Sequence, residues 1–249
     1  MFGDPSAERG ERDRAERDTH HHPPPARELD RVRQHREQGD PGAAPAAPQA
    51  GLGADVGAVV MVVTQISMVA IMTMTPVHMR AHDHTLGAVG LVIGLHIGAM
   101  YLPSLVTGSL VDRIGRTPMA VASGATLLAA GAVAAFAPGD SLPLLILALV
   151  LLGLGWNFGL ISGTALVVDA TVPENRPRTQ GAIDVLVALS GAAGGALSGV
   201  LMAATSYVTL SIMGGLLALL IVPVLLWARR ERKQADAGTG GNGRAPSHV

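Results

Sequence analysis

The sequence predicts an all-α membrane protein, a bundle of six transmembrane helices with both termini cytoplasmic. Three observations predict it. Hydrophobic residues make up 49% of the 249 residues, and nearly all of them lie between residues 53 and 228. Six runs in that stretch reach the roughly 20 mostly apolar residues that a helix needs to cross a bilayer. The arginines between the runs fall on alternate connections, as the positive-inside rule requires of cytoplasmic loops. A soluble core would instead leave each helix a wet, polar face.

The spans are expected at Val56–Thr75, Leu86–Val111, Pro118–Ala137, Leu142–Val168, Ile183–Ala203 and Val208–Ala228. The second and fourth exceed what a crossing needs, which implies tilt or a cytoplasmic extension. The connection His78–Thr85 holds one arginine, Arg80, whereas Asp112–Thr117 holds Arg113 and Arg116. Ala137–Ser141 has no basic residue, Thr171–Gly181 holds Arg176 and Arg178, and the turn Thr205–Tyr207 has none. The last span is followed by Arg229, Arg230, Arg232 and Lys233. One orientation satisfies all of these: termini inside, three tight hairpins outside.

Residues 1–52 and 229–249 read as polar, disordered cytoplasmic tails around a membrane domain at 53–228, because such segments bury too little surface to offset their ordering entropy. Met1 to Arg17 is charged and lacks the apolar core of a secretory signal. The run His20–His21–His22 reads as solvated low complexity rather than a metal site. There are no cysteines, which excludes disulfides, zinc-thiolate sites and cysteine nucleophiles. The net charge of −1 points to no nucleic acid.

Three spans carry glycines at four-residue spacing: Gly90, Gly94 and Gly98; Gly155, Gly159 and Gly163; Gly191, Gly195 and Gly199. Such stripes let helix backbones approach closely, so helix packing is the first reading. At about 100° per residue, His96 lies opposite Gly94 and Asn157 opposite Gly155. Gln65 sits near the middle of the first span. Polar groups at that depth face protein or water rather than lipid. Gln65, His96 and Asn157 are therefore expected to line a substrate cavity, with interhelical hydrogen bonds as the alternative. His96 is the titratable side chain well inside a span, and no embedded Asp or Glu accompanies it.

The stretch Gly108-Ser-Leu-Val-Asp112-Arg113-Ile-Gly115-Arg116-Thr117, between the second and third spans, resembles the G-x-x-x-D-R-x-G-R-R motif of the major facilitator superfamily. The likeness covers Gly108, Asp112, Arg113, Gly115 and Arg116, and departs at Thr117. Thr75-Pro76-Val-His78-Met79 and His96-Ile-Gly98-Ala-Met100-Tyr101 look like the seventh and eighth helices of bacterial members. Arg176-Pro-Arg178-Thr-Gln180-Gly181-Ala-Ile-Asp184 looks like their tenth-to-eleventh connection. The resemblance implies one half of a major facilitator fold, the C-terminal half, with the motif as a conformational switch that clamps the two halves. It also implies Arg176, Arg178, Gln180 and Asp184 as a cytoplasmic gate. The expected role is a secondary transporter of the bacterial inner membrane that moves a small molecule by alternating access, with drug or metabolite efflux the common case. Its partners would be the substrate, the bilayer, and a second six-helix half or a homodimer partner. No cofactor and no metal are expected.

His78 and His82 stand one helical turn apart, a workable metal spacing, but an interfacial polar loop is the preferred reading. Gly159-Leu-Ile-Ser162-Gly163 only loosely resembles the Gly-x-Ser-Gly of six-helix intramembrane proteases. The last span lacks the histidine such an enzyme needs, so no enzyme is expected. The remaining alternative is a truncated fragment that does not transport.

Overall fold

The computed structural model describes residues 47–240, and every element among them is helical. Of the N-terminal tail expected at 1–52, residues 1–46, with the three histidines, lie outside the described residues, as do residues 241–249, and residues 47–52 are already helical. In order come α1 (Ala47–Ala81), α2 (Leu86–Tyr101), α3 (Ser104–Ile114), α4 (Arg116–Phe136) and α5 (Leu142–Ala170). A 3-10 turn at Pro173–Asn175 leads to α6 (Arg176–Ala204), α7 (Tyr207–Ala218) and α8 (Ile221–Gly240). Five stretches are long and apolar enough to span a bilayer, Tyr207–Glu231 counting as one, and α2 with α3 makes a sixth.

Prolines account for most departures from the expected spans. The second span is broken: Pro103 lacks the N–H that would continue the ladder, and α2 and α3 meet there at 41°. The last span is also interrupted. Leu219 and Leu220 bond three residues back, to Leu216 and Leu217, and Val222 donates to the Leu219 carbonyl that Pro223 cannot reach with a donor of its own. α8 is helical as far as Gly240, beyond the expected end of the membrane domain at 228. In α1, Pro76 lies inside a helix expected to stop at Thr75. Membrane helices tolerate such a proline, and beside it the Thr73 and Thr75 hydroxyls donate to the Val69 and Ile71 carbonyls of the preceding turn at 2.8 Å.

The centre of the bundle is α1, α4 and α5, with Ile71, Leu127, Leu145, Leu149 and Leu152 fully buried between them. α2 and α3 pack on α5, α7 packs on α4 and α1, and α6 leans on α1. Over its most apolar stretch α6 is only 17% buried, against 56% for α1. Its outward residues Val185, Leu189, Leu197 and Val200 are exposed, as suits a helix bathed in lipid or facing a further helix.

The glycine stripes divide. In α5 all three glycines are packed: a Cβ on Gly155 would meet Leu127, one on Gly159 would meet Thr64 and Ser123, and one on Gly163 would meet Met61. In α6, Gly191 and Gly195 touch α1 while Gly199 faces open space. The α2 stripe does not serve packing within the described residues: a Cβ on Gly90 or Gly94 meets nothing within 4 Å. The closest approach to the backbone of another helix lies elsewhere, where a Cβ on Gly131 of α4 would fall 2.5 Å from the Ser211 carbonyl and 2.9 Å from Gly215 Cα in α7. Gly131→Ala is expected to destabilise by about 1–3 kcal/mol, the usual cost of overpacking, because backbone has to move. Gly94→Ala is expected to be neutral or to stabilise by up to about 1 kcal/mol through helix propensity. Thermal unfolding of both variants in detergent, followed by far-ultraviolet circular dichroism, measures the contrast.

Candidate functional site

The motif residues gather where α3, α4 and α5 meet. Gly115 joins α3 to α4 with φ 104°, a conformation that costs an L side chain dearly and a glycine little. That reversal brings Arg116, the first residue of α4, to the last turn of α5, where its Nε donates to Asp169 Oδ2 at 2.8 Å. Asp112 is a looser partner, 3.7 Å from Arg116 and 75% exposed. Arg113 is exposed and forms no ion pair among the described residues. A Cβ on Gly108 would meet nothing within 4 Å. Asp169 was not singled out from the sequence; the signal was an acid one residue past the end of the fourth expected span. Exposed ion pairs contribute about 0–1 kcal/mol, so Arg116–Asp169 is a positional link rather than a large source of stability.

The four residues of the expected gate separate. Arg176 donates to the Thr171 carbonyl at 3.2 Å and closes the turn before α6. Arg178 is exposed. Gln180 and Asp184, one helical turn apart on α6, line a cavity of about 180 Å³ with Met61 of α1 and Thr164 of α5.

The three mid-span polar residues also divide. His96 is fully buried, and its Nδ1–H donates to the Leu149 carbonyl of α5 at 2.8 Å. Asn157 is 2% exposed and ties α5 to the α2–α3 break. Its Nδ2 donates to the Met100 carbonyl at 2.7 Å and to Ser104 Oγ at 3.1 Å, and its Oδ1 accepts from Thr107 Oγ1 at 2.6 Å. Both thus make the interhelical hydrogen bonds that were the alternative to a cavity wall. For His96 the reason is that the glycine face of α2 points outward, so the face opposite points into the bundle; α5 is packed on both faces, its glycine stripe against α1 and α4 and Asn157 against α2 and α3. Gln65 is only half-buried, and its Oε1 accepts from Trp156 Nε1–H at 2.8 Å. Trp156 and Tyr101, whose rings meet edge to face with centroids 5.9 Å apart, were not among the residues expected at a site, although two aromatics near mid-span in a chain with 3% aromatics were a usable signal.

At the opposite end from the motif, the three hairpins are laced by aromatic and imidazole groups. His78 stacks on Tyr207 with centroids 4.1 Å apart, and Tyr207 Oη bonds Thr75 Oγ1 at 2.8 Å. His82 Nδ1–H donates to the His78 carbonyl at 2.9 Å, and His84 Nε2–H donates to the Gly139 carbonyl at 2.8 Å. These ring nitrogens are engaged with carbonyls, and no group of three potential ligands converges on a metal position among the described residues. Ser162 is buried and donates to the Phe158 carbonyl within its own helix at 2.7 Å; none of its hydrogen bonds reaches a histidine.

Residues 57–248 match the profile of the Major Facilitator Superfamily. The chain is 71% identical over 177 residues to the "Uncharacterized MFS-type transporter YdeG" of Bacillus subtilis, covering 71% of this chain and 41% of that protein. It is 68% identical over 175 residues to "Uncharacterized MFS-type transporter YddS" of the same organism, covering 70% and 40%. It is 33% identical over 171 residues to the "Riboflavin transporter RfnT" of Brucella anthropi, covering 68% and 42%. The chain thus spans about two fifths of the length of each of these relatives.

Proposed function

Because this multi-pass membrane chain belongs to the major facilitator superfamily, we propose that it is the C-terminal six-helix half of a transporter of the bacterial inner membrane. With a second six-helix half, or a second copy of itself, it moves a small molecule by alternating access, both termini facing the cytoplasm. The observation that carries this reading is the motif at the α3–α4 turn. Arg116 is committed to Asp169 inside the chain, while the Asp112 carboxylate is 75% exposed and held only at 3.7 Å. A carboxylate in that position suits the positive N-terminal end of a helix in the other half. Arg113 and Arg116 suit an anionic cytoplasmic surface, and Gln180 and Asp184 suit a gate on the same side.

Of the three residues expected on a cavity wall, Gln65 keeps that role in this proposal. His96 and Asn157 are assigned instead to holding α2 and α3 against α5. Riboflavin, named for the Brucella relative, is the first solute to test, with everted and right-side-out vesicles distinguishing efflux from uptake.

Crosslinking in membranes, followed by native mass measurement in detergent, tests the need for a partner. A crosslinked species containing a second half is expected, and a chain that transports while strictly monomeric would refute the half-transporter reading. Asp112→Asn is expected to slow transport about tenfold, roughly 1.4 kcal/mol at the barrier. Its stability should change by no more than about 0.5 kcal/mol, as for most exposed sites. Initial rates in vesicles and melting curves on the same preparations check the pair of outcomes.

A further inference from the structure

The end of the bundle opposite the motif is held by imidazoles rather than by ion pairs. The last turn of α1 and the hairpin after it carry His78, His82 and His84. His78 lies flat on Tyr207, the first residue of α7, with ring centroids 4.1 Å apart. His84 bonds the Gly139 carbonyl in the hairpin between α4 and α5. The His82 ring covers Gly139 so closely that a Cβ there would overlap it. Through these three rings the end of α1 holds both of the other hairpins at that end.

His82 Nδ1–H and His84 Nε2–H are donated to carbonyls, so in each ring the other nitrogen is left to take a proton. His78 Nε2 is buried and has no partner, and the His78 and His82 rings are 4.3 Å apart. None of the three rings is ion-paired among the described residues, where both salt bridges belong to Arg116. Few charged groups surround them. On α1 and its hairpin stand Arg80, which donates to the His84 carbonyl at 2.5 Å, and exposed Asp83. The α4–α5 hairpin adds exposed Asp140, α7 adds only Tyr207, and the turn before α7 and the start of α2 add none. With neutral imidazoles the three hairpins carry a net charge of −1, one arginine against two aspartates, and with all three protonated they carry +2.

We propose that this cluster is a proton-operated latch: neutral, the imidazoles pin the end of α1 to the other two hairpins, and protonated they release it. A proton on His78 is attracted by the Tyr207 face, but its Nε2–H is then buried without an acceptor. A proton on His82, one helical turn away, meets that charge at close range, with no paired carboxylate to offset it. The titrations are therefore coupled. Separation relieves the repulsion: the rings swing into water, and the His78–Tyr207 stack and the cover over Gly139 come apart. The latch belongs to this chain's own end and stands whether or not the chain transports. In the orientation proposed above, it samples the pH outside the cytoplasm.

The chain has no cysteine, so Ala81→Cys and Val208→Cys, both at exposed positions, place one spin label each on α1 and α7 of the full-length protein. A control pair, Ile114→Cys and Val172→Cys, sits at exposed positions of the motif end. In nanodiscs with a chelator present, dipolar broadening in the first pair is expected to fall by at least half from about pH 7.5 to about pH 5, the range in which histidine changes charge. The control pair is expected to stay as it is. The same first pair in His78→Phe with His82→Gln, which keeps a flat ring on Tyr207 but cannot take the two charges, is expected to hold its broadening at both pH values. Should that variant fail to fold at neutral pH by circular dichroism, His82→Gln alone leaves the stack intact. It is expected to move the midpoint of opening at least one pH unit toward acid, tenfold in proton concentration. Broadening in the parent that acid leaves unchanged, an equal loss at an unmoved midpoint in the variants, or a loss shared by the control pair would overturn the latch.

Discussion

Asn157→Leu is expected to unfold the protein about 2 kcal/mol more easily and to release the bend between α2 and α3. Interhelical hydrogen bonds in membrane proteins average about 0.6 kcal/mol each, and Asn157 makes three that reach the two helices at the break. Two of the lost bonds have consequences beyond their number. Pro103 has already interrupted the ladder, so the Met100 carbonyl is left without its Asn157 donor in a dry interior, and Thr107, only 2% exposed, loses its acceptor. The chain has no cysteine, so two cysteines introduced at exposed positions, one in α2 and one in α3, carry the only spin labels. A broadened distance distribution between them in Asn157→Leu, against a narrow one in the parent, is the expected spectroscopic result. An unchanged distribution with a lowered melting temperature would show that Asn157 contributes cohesion but does not set the bend.

Tyr207→Ala is expected to be the most destabilising single change at the histidine-laced end, by about 3 kcal/mol, at the lower bound for deleting a buried aromatic. Tyr207 is 4% exposed, its ring lies flat on His78, and its hydroxyl bonds Thr75 beside Pro76. Tyr207→Phe keeps the stack and loses only the hydroxyl, so about 1 kcal/mol is expected. The difference between the two melting temperatures separates ring packing from the hydrogen bond. Equal losses would mean that the hydroxyl, not the ring, holds α7 to α1.

The number and type of spans were legible in the sequence because apolar runs and alternating basic loops are direct consequences of the bilayer. The interruptions at Pro103 and Pro223 were harder to see, since an apolar run continues unchanged through a break. The orientation of α2 was less legible still. Opposition between Gly94 and His96 follows from helix geometry alone, but which face turns inward depends on what α5 offers, here the Leu149 carbonyl and Asn157. Arg116 was readable from the motif, whereas its partner Asp169 is 53 residues away in sequence. Gln65 stood out as a polar residue in an apolar run. Trp156 and Tyr101 did not, because large aromatics look at home in any span.

The slender attachment of α6 to α1 has a consequence during synthesis. Gly191 closes on Gln65, and the two are 126 residues apart in the chain. At about 5–20 residues per second, the face of α1 that receives α6 stays uncovered for roughly 6–25 seconds while the intervening helices emerge. For the first 91 of those residues the amide of Gln65 has neither Trp156 nor α6 beside it, so lipid headgroups, water or an insertion factor has to shelter it. The same residue assigned here to a cavity wall is thereby one that the nascent chain must be helped to carry into the membrane.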